Sequence, residues 1–340
     1  MGLDLDHLAG FIEQRAGARR VSLTSQRLGG GAIQENHALD AVIDDGPMSG
    51  RHAWVLRTDA PSGVAVSRSR SEEFALLTAA FKAGVTVPQP LWMCTDTGVA
   101  GRPFYIMERV SGTADGRRLV QAERSPEQRR KIMTALGREL ARIHAVDTTA
   151  PGLVFLEAPG APPAGARIDQ YRAYLDTLDQ PQPVLEWGLR WLELNTPDNG
   201  ETVLCHCDFR TGNIMIDGNR VTGILDWEFA ALSGPVEDLG WFCARCWRFG
   251  ADTLEAGGLG HREDFVTAYE RESGRGVDRG ELAWWRIMAE VRWGVIALQQ
   301  AGRHLSGEEA SLELALTGYM VPEMEANLIR AITNECGGRR

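Results

Sequence analysis

His206-Cys207-Asp208-Phe209-Arg210-Thr211-Gly212-Asn213-Ile214-Met215-Ile216-Asp217 is the stretch that decides the fold, together with Val221-Thr222-Gly223-Ile224-Leu225-Asp226-Trp227-Glu228 just after it. Ile214 and Ile216 alternate with other residues before Asp217-Gly218-Asn219, a strong hairpin-turn signal. The returning strand at 221–225 then delivers Asp226 next to the loop that carries Asp208 and Asn213. One acid to orient and deprotonate a hydroxyl, with an amide oxygen and a second carboxylate for Mg²⁺, is the set that phosphoryl transfer needs. Mg²⁺ takes hard oxygen ligands and commonly only one or two protein carboxylates besides the nucleotide phosphates. Positioning and charge neutralisation carry most of that catalysis, so one compact loop suffices.

Helical patterns surround this β-rich island. Ser125-Pro126-Glu127-Gln128 combines an N-cap serine, an early proline and a glutamine three residues on. Ile132, Leu136, Leu140 and Ile143 then run down one face. The spacing predicts further helices at about 167–178, 183–194, 262–273, 280–302 and 309–331, and a Pro/Gly/Ala-rich surface loop over 151–166. The first hundred residues read differently: a short helix around Leu8 to Ile12, strands at 51–57 and 103–110, and one helix at 72–83. The fold expected is α+β and bilobal, with a small β-rich lobe over 1–108 and a larger, mostly helical lobe over 109–340.

The 340 residues carry 36 Lys+Arg against 46 Asp+Glu, a net charge of −10. That balance argues against a nucleic-acid or anionic-membrane partner, since such surfaces recruit basic patches. No stretch approaches a membrane span, and the N-terminus has neither the basic nor the apolar region of a signal peptide. A cytoplasmic protein with reduced thiols is expected. Only Lys82 and Lys131 are lysines, so a mechanism that needs a lysine has two positions to draw on.

The chain resembles the aminoglycoside phosphotransferase / choline-kinase-like family, which has the protein-kinase-like fold. The motifs that carry the resemblance are His206-x-Asp208-x4-Asn213, Ile224-Leu225-Asp226-Trp227-Glu228 and Glu237-Asp238-Leu239-Gly240-Trp241. The resemblance implies Asp208 as catalytic base, Asn213 and Asp226 as Mg²⁺ ligands, and His206 and Asp238 as supports of the loop. It implies ATP as donor, with GTP possible. Kinase-like sites place a lysine on the third strand of the small lobe, yet Lys82 ends the following helix and Lys131 lies on a large-lobe helix. Arg57 stands where that lysine is expected, with Glu73 as its orienting partner, although a guanidinium is no geometric equivalent of an ammonium. Gly29, Gly30 and Gly31 are candidates for a phosphate-facing loop. Met107, Glu108 and Val110 are candidates for the adenine hinge. Cys207 stands where the family has a small residue, an expected source of crowding or thiol sensitivity. Ser233-Gly234-Pro235 replaces the family's Gly-Asp-Pro.

Only 12 residues separate Asp226 from Asp238, which leaves no room for a long activation segment, and no Asp-Phe-Gly or Ala-Pro-Glu occurs. A small-molecule hydroxyl is therefore the expected acceptor of a monomer or homodimer, with Glu228, Trp285 and Glu290 as acceptor-site candidates. The acidic stretch 307–325 would suit a cationic acceptor, though acidic helices are commonly solvated faces. Two rivals remain. Cys205-x-Cys207 and Cys243-x-x-Cys246 have zinc-like pair spacing. A nucleotide-binding pseudokinase without turnover would keep the same fold.

Overall fold

The computed structural model describes residues 3–29, 34–59, 67–198 and 200–338. In its first part α1 (Leu5–Ala16) leads into β1 (Val21–Arg27), β2 (Gln34–Ile43) and β3 (Gly50–Asp59); α2 (Arg70–Lys82), β4 (Pro90–Cys94), α3 (Thr97–Ala100) and β5 (Phe104–Glu108) follow. The five strands form one antiparallel sheet in the order β1-β2-β3-β5-β4. Alternation along each strand sends neighbouring side chains to opposite faces. Leu39, Trp54, Leu56, Phe104 and Ile106 pack with Leu8 and Ile12 of α1, whereas Tyr105 joins Leu76 and Leu77 of α2. That same alternation turns Arg57, one residue after Leu56, toward α2. A full capping box at Ser69 and Glu72 starts α2, and it places Glu73 in the buried first turn.

The larger part comprises α4 (Gly116–Gln121), α5 (Pro126–Ile143), α6 (Pro163–Leu175), α7 (Pro183–Leu194), β6 (Val203–Cys205), β7 (Ile214–Asp217), β8 (Arg220–Ile224), β9 (Ala231–Ser233) and α8 (Pro235–Phe242). It closes with α9 (Arg262–Ser273), α10 (Arg279–Leu305), α11 (Leu312–Gly318) and α12 (Val321–Gly338). Strands β7 and β8 make the hairpin read from Asp217-Gly218-Asn219, with Gly218 at φ 60° in its turn. The Ser125–Gln128 capping box caps α5, and Ile132, Leu136, Leu140 and Ile143 are all fully buried. Helix α5 lies so close to α9 that a Cβ on Gly137 would stand 2.6 Å from the Phe265 carbonyl oxygen and 2.8 Å from the Tyr269 nitrogen. This contact presses α9 onto the helix that underlies the hairpin.

Three expectations need correction. Helix α6 begins at Pro163, inside the segment read as a loop, because proline is well tolerated in a first turn where its missing N–H costs nothing. The single helix read over 309–331 is two, α11 and α12. Pro322 explains the break, since inside a continuous helix it would lose a backbone bond and clash with the preceding turn. Strands β6 and β9 pair into a second small sheet, and three residues each are too few to show a period.

Substituting Gly137 by Val should lower stability by about 1–3 kcal/mol through overpacking. Urea unfolding followed by tryptophan fluorescence would read this as a lower midpoint.

Candidate active site

Hairpin β7–β8 and the N-terminus of α8 bring the quoted motif residues together. Asn213 closes a 3₁₀ turn, and the Leu225 N–H donates to its carbonyl at 2.8 Å, which sets Asp226 beside the catalytic-type loop. Asp226 has φ 69° and Cys207 φ 57°, both in the left-handed region that L-residues enter at a cost. The Asp238 carboxylate holds the loop in that shape: Oδ2 accepts from the His206 N–H at 2.7 Å and Oδ1 from the Cys207 N–H at 2.8 Å. His144, the C-cap of α5, reaches the same Oδ2 at 3.2 Å, and its other ring nitrogen meets the Tyr269 hydroxyl of α9. Burial opposes the charge on Asp238, but these donors outweigh it and hold the carboxyl below its usual range.

His206 does structural work. Its Nδ1 accepts the Asp208 N–H at 3.2 Å, so Nε2 carries the proton and donates to the Leu225 carbonyl at 2.9 Å. The ring thereby ties the Asp208 loop to the Asp226 turn. Asp208 itself is almost buried and ringed by donors. Trp241 Nε1 donates to Oδ1 at 2.9 Å, Asn213 Nδ2 to Oδ2 at 2.6 Å, and Arg210 Nε reaches both oxygens at 3.0–3.1 Å. The carboxylate is thus held in one orientation by three donors. Asn213 also donates to the Asp208 carbonyl, while its Oδ1 has no partner among the described residues. That amide oxygen and the Asp226 carboxylate are the hard donors Mg²⁺ prefers, so the residues present fit that ion.

Arg57 links the two lobes. Nε donates to the Glu73 carboxylate at 3.0 Å and Nη2 pairs with Asp226 Oδ1. Burial disfavours the guanidinium charge, yet Glu73 and Asp226 overcome it and raise its pKa well above the usual value. Arg70, fully buried, also pairs with Glu73 and reaches Asp59 at 2.9 Å. Asp226 is held below the ordinary carboxylate range: burial works against its charge, and Arg57 and Arg210 outweigh burial. Lys82 ends α2 and Lys131 sits on α5 paired with Glu127, so neither takes part.

The other candidates separate. Gly30 and Gly31 lie outside the described residues, and Gly29 is an exposed bend at the end of β1. Glu108 spends its N–H on the Gln89 carbonyl at 2.9 Å and accepts from Trp54 Nε1, while Met107 pairs with Val55 in the sheet. The Val110 N–H has no partner among the described residues, which leaves it available to a ligand.

Glu228, read as an acceptor residue, instead faces the small lobe. Its Oε2 accepts from Gln34 Nε2 at 3.0 Å and from Ser67 Oγ at 2.6 Å, and its carbonyl takes the Arg68 N–H. Burial and the neighbouring Asp226 charge push its pKa up to about 7. Trp285, likewise read as an acceptor residue, is a core side chain instead, pressed against Gly240, where a Cβ would lie 2.6 Å from the indole Cβ. Glu290 is buried against the turn after α8, where it accepts the Arg245 N–H.

The cysteine pairs do not gather into one centre. The only metal-capable group among the described residues contains His144, Cys205 and Asp238, and all three side chains already hold hydrogen bonds, Cys205 to the Gly234 carbonyl. Cys207 is buried, its thiol pushed up by burial, and Arg167 Nη2 lies 3.5 Å from its sulfur. The thiol sensitivity read from sequence therefore has no physical basis. Sequence reading missed Gln34, Ser67, Arg167, Arg210 and Trp241. Arg210 and Trp241 stood inside the quoted motifs; the others carry no local signal. Arg167 shares its one Nε–H between both carboxylate oxygens of Glu237, which also accepts from Ser233 Oγ, so Glu237 supplies acidity beside a turn that lacks the family's aspartate.

This fold and this constellation define a protein-kinase-like phosphotransferase. The chain belongs to the phosphotransferase enzyme family, whose model matches residues 29–277. Mouse acyl-CoA dehydrogenase family member 10 is 33% identical over 193 residues, 54% of this chain and 17% of its own length. Rat acyl-CoA dehydrogenase family member 11 is 29% identical over 287 residues, 80% of this chain and 36% of its own. The chain thus spans only a minor part of these relatives. A Ralstonia eutropha JMP134 protein, itself only provisionally assigned as an aminoglycoside phosphotransferase, superposes with TM-score 0.78 at 23% identity, covering 98% of this chain and 99% of its own. An aminoglycoside phosphotransferase mutant in ternary complex with ADP and hygromycin B superposes at 0.59 and 15% identity, covering 95% and 98%.

Two outcomes follow from burial. In native protein treated with iodoacetamide, mass spectrometry should find the exposed Cys336 modified and Cys207 unmodified. Glu228 binds its proton more tightly folded than unfolded, since its value of about 7 exceeds the ordinary 4.5. Its contribution to stability is complete below the lower value and lost as pH rises through the upper one. Glu228→Gln should therefore flatten the stability–pH curve across that interval, measured as the thermal midpoint against pH.

Proposed function

We propose that this protein is a Mg²⁺- and nucleoside-triphosphate-dependent kinase of a small hydroxylated molecule, with the small lobe (residues 1–108) binding nucleotide and the remainder carrying the catalytic loop and acceptor site. The observation that carries this reading is the arrangement of Asp208, Asn213 and Asp226 on one loop–hairpin unit, with Arg57 reaching across from the small lobe. Asp208, oriented by Trp241, Arg210 and Asn213, accepts the acceptor's hydroxyl proton. The hydroxyl oxygen forms a new bond to the γ-phosphorus in line, the bond to the β-phosphate oxygen breaks, and the nucleoside diphosphate leaves. Arg57 holds phosphate oxygens as a guanidinium fork in place of a lysine. Asn213 and Asp226 hold Mg²⁺, which when bound supplies neutralisation of the phosphate charge. The backbone of Val110, with Met107 and Glu108 before it, forms the adenine edge, and the glycine run at 29–31 is the candidate for the phosphate-facing loop. His206 and Asp238 keep the loop in place.

The bound ADP of a structurally similar protein supports nucleotide use. The acceptor class stays open at this level, because the relatives' names concern acyl-CoA dehydrogenation and one structural neighbour binds hygromycin B. A nucleotide-consumption screen with ATP and GTP over amines, sugars, antibiotics and hydroxy-acyl compounds finds the acceptor. Asp208→Ala should then abolish transfer while nucleotide binding persists; surviving transfer removes Asp208 from its role, and binding without turnover over the whole panel favours the pseudokinase. Arg57→Ala should raise the nucleotide KM roughly tenfold or more, as loss of a charge-assisted contact does, and an unchanged KM returns Arg57 to a purely structural place.

A further inference from the structure

The side chains that approach Asp208 from the large lobe are not those of a site for a cation. Trp241, which donates to Asp208, carries the Arg292 guanidinium 4.0 Å above its ring. Trp247 meets Trp241 edge-on at 5.1 Å and carries the Arg210 guanidinium 4.6 Å above it, and Trp293 meets Trp247 at 5.1 Å. Three indoles from α8, the turn after it and α10 thus form one aromatic wall, with guanidinium groups set on two of its rings. Trp285, the aromatic acceptor candidate of the sequence, is not among them.

The wall carries unpartnered indole donors, and beside it Glu290, which accepts the Arg245 N–H of the same turn, keeps a buried Oε2 with no partner among the described residues. Trp247 is buried, and its Nε1, like that of Trp293, is a buried N–H with no hydrogen-bond partner among the described residues. Arg292 pairs with the Cys207 carbonyl and stands 3.7 Å from Glu237, so only part of its five-donor fork is engaged. Arg167 adds a third guanidinium, shared between Glu237 and the Cys207 sulfur. Arg167 and Arg292 share Glu237, and Arg210 pairs with Asp208 and lies near Asp226, a carboxylate that Arg57 already holds. The acidic stretch after residue 306 does not redress this balance, because Glu308 and Glu309 are turned onto Arg303.

We infer that the acceptor is a hydroxylated anion, its carboxylate or phosphate group held by Arg292 and Arg167 with the indole N–H of Trp247 and Trp293, and its carbon skeleton lying on the tryptophan wall. The inference deepens the kinase reading and rests on it. Guanidinium forks match planar or tetrahedral oxyanions, and buried indole donors without partners call for a ligand that brings lone pairs. A polycationic amino sugar would set its ammonium groups against these three guanidinium groups.

The test uses the full chain with Mg²⁺ and ATP and matched acceptors: a hydroxycarboxylic acid and its primary amide, a sugar monophosphate and the free sugar, and hygromycin B. Turnover should favour one of the anions, with kcat/KM falling roughly ten- to a hundredfold when its charge is removed. The acid pair and the sugar pair distinguish a carboxylate from a phosphate source. Arg292→Lys, which keeps the charge but loses the fork, should raise the acceptor KM more than it lowers kcat. Trp247→Phe, which keeps the ring and loses the donor, should do the same and guards against a folding defect in the first variant. Asp208-dependent turnover that prefers the neutral compounds or hygromycin B, or an acceptor KM unmoved in both variants, overturns the anionic acceptor and leaves the kinase reading standing. Nucleotide binding with no turnover of any compound overturns both.

Discussion

The Arg57 guanidinium, gripped by Glu73 from one lobe and Asp226 from the other, is the contact on which the geometry of the cleft depends. Its charge is buried, and burying an unpaired charge is costly, so each carboxylate offsets part of a cost that the other would have to carry alone. The two carboxylates exist as a pair only because β3, α2 and the Asp226 turn meet at this point. A lysine could not replace the contact, since its single ammonium lacks the fork that reaches two partners in fixed directions. Arg70 extends the network by holding Glu73 from the start of α2. In the proposed reading a nucleotide with its Mg²⁺ competes for both ends of this bridge, phosphate for the guanidinium and cation for the carboxylate.

A second buried carboxylate governs the other half of the site. Asp238 gathers the His206 and Cys207 N–H groups and His144, so the loop bearing Asp208 hangs from the N-terminal turn of α8. The left-handed backbone at Cys207 is tolerable because its N–H and carbonyl are both fixed, the latter by Arg292. Loop shape, orientation of Asp208 and the aromatic wall are therefore one connected structure. On the proposed reading, the residues that shape the acceptor face are the residues that brace the catalytic loop.

Much of this was legible in the sequence because it is local. The hairpin turn, the capping box of α5, and the motif around Asp208 each declare themselves within a few residues. Arg57 was legible for a different reason: with two lysines in the chain, both on helices, the strand position had to be filled by another cation. What stayed hidden is what tertiary packing decides. Glu228 follows Asp226 closely, but the closeness of Gln34 and Ser67 turned it toward the small lobe. Trp285 and Trp293 lie on the same helix, and only the packing of α8 against α10 sends the first into the core and the second to the wall. Arg167 lies in the first turn of a helix whose start was read as loop, and its pairing with Glu237 spans 70 residues. The net charge of −10 excluded some partners but gave no sign of the three guanidinium groups gathered beside Asp208.

The central claim is that Arg57 and Asp226 frame a joint site for nucleotide and Mg²⁺. Calorimetric titration of the full chain with a non-hydrolysable ATP analogue, with Mg²⁺ and with EDTA, tests it most directly, alongside Asp226→Asn. Binding that depends on Mg²⁺ and loses that dependence in Asp226→Asn is the result predicted. Equal affinity with and without Mg²⁺ in the unaltered protein, or no binding at all, would contradict the account.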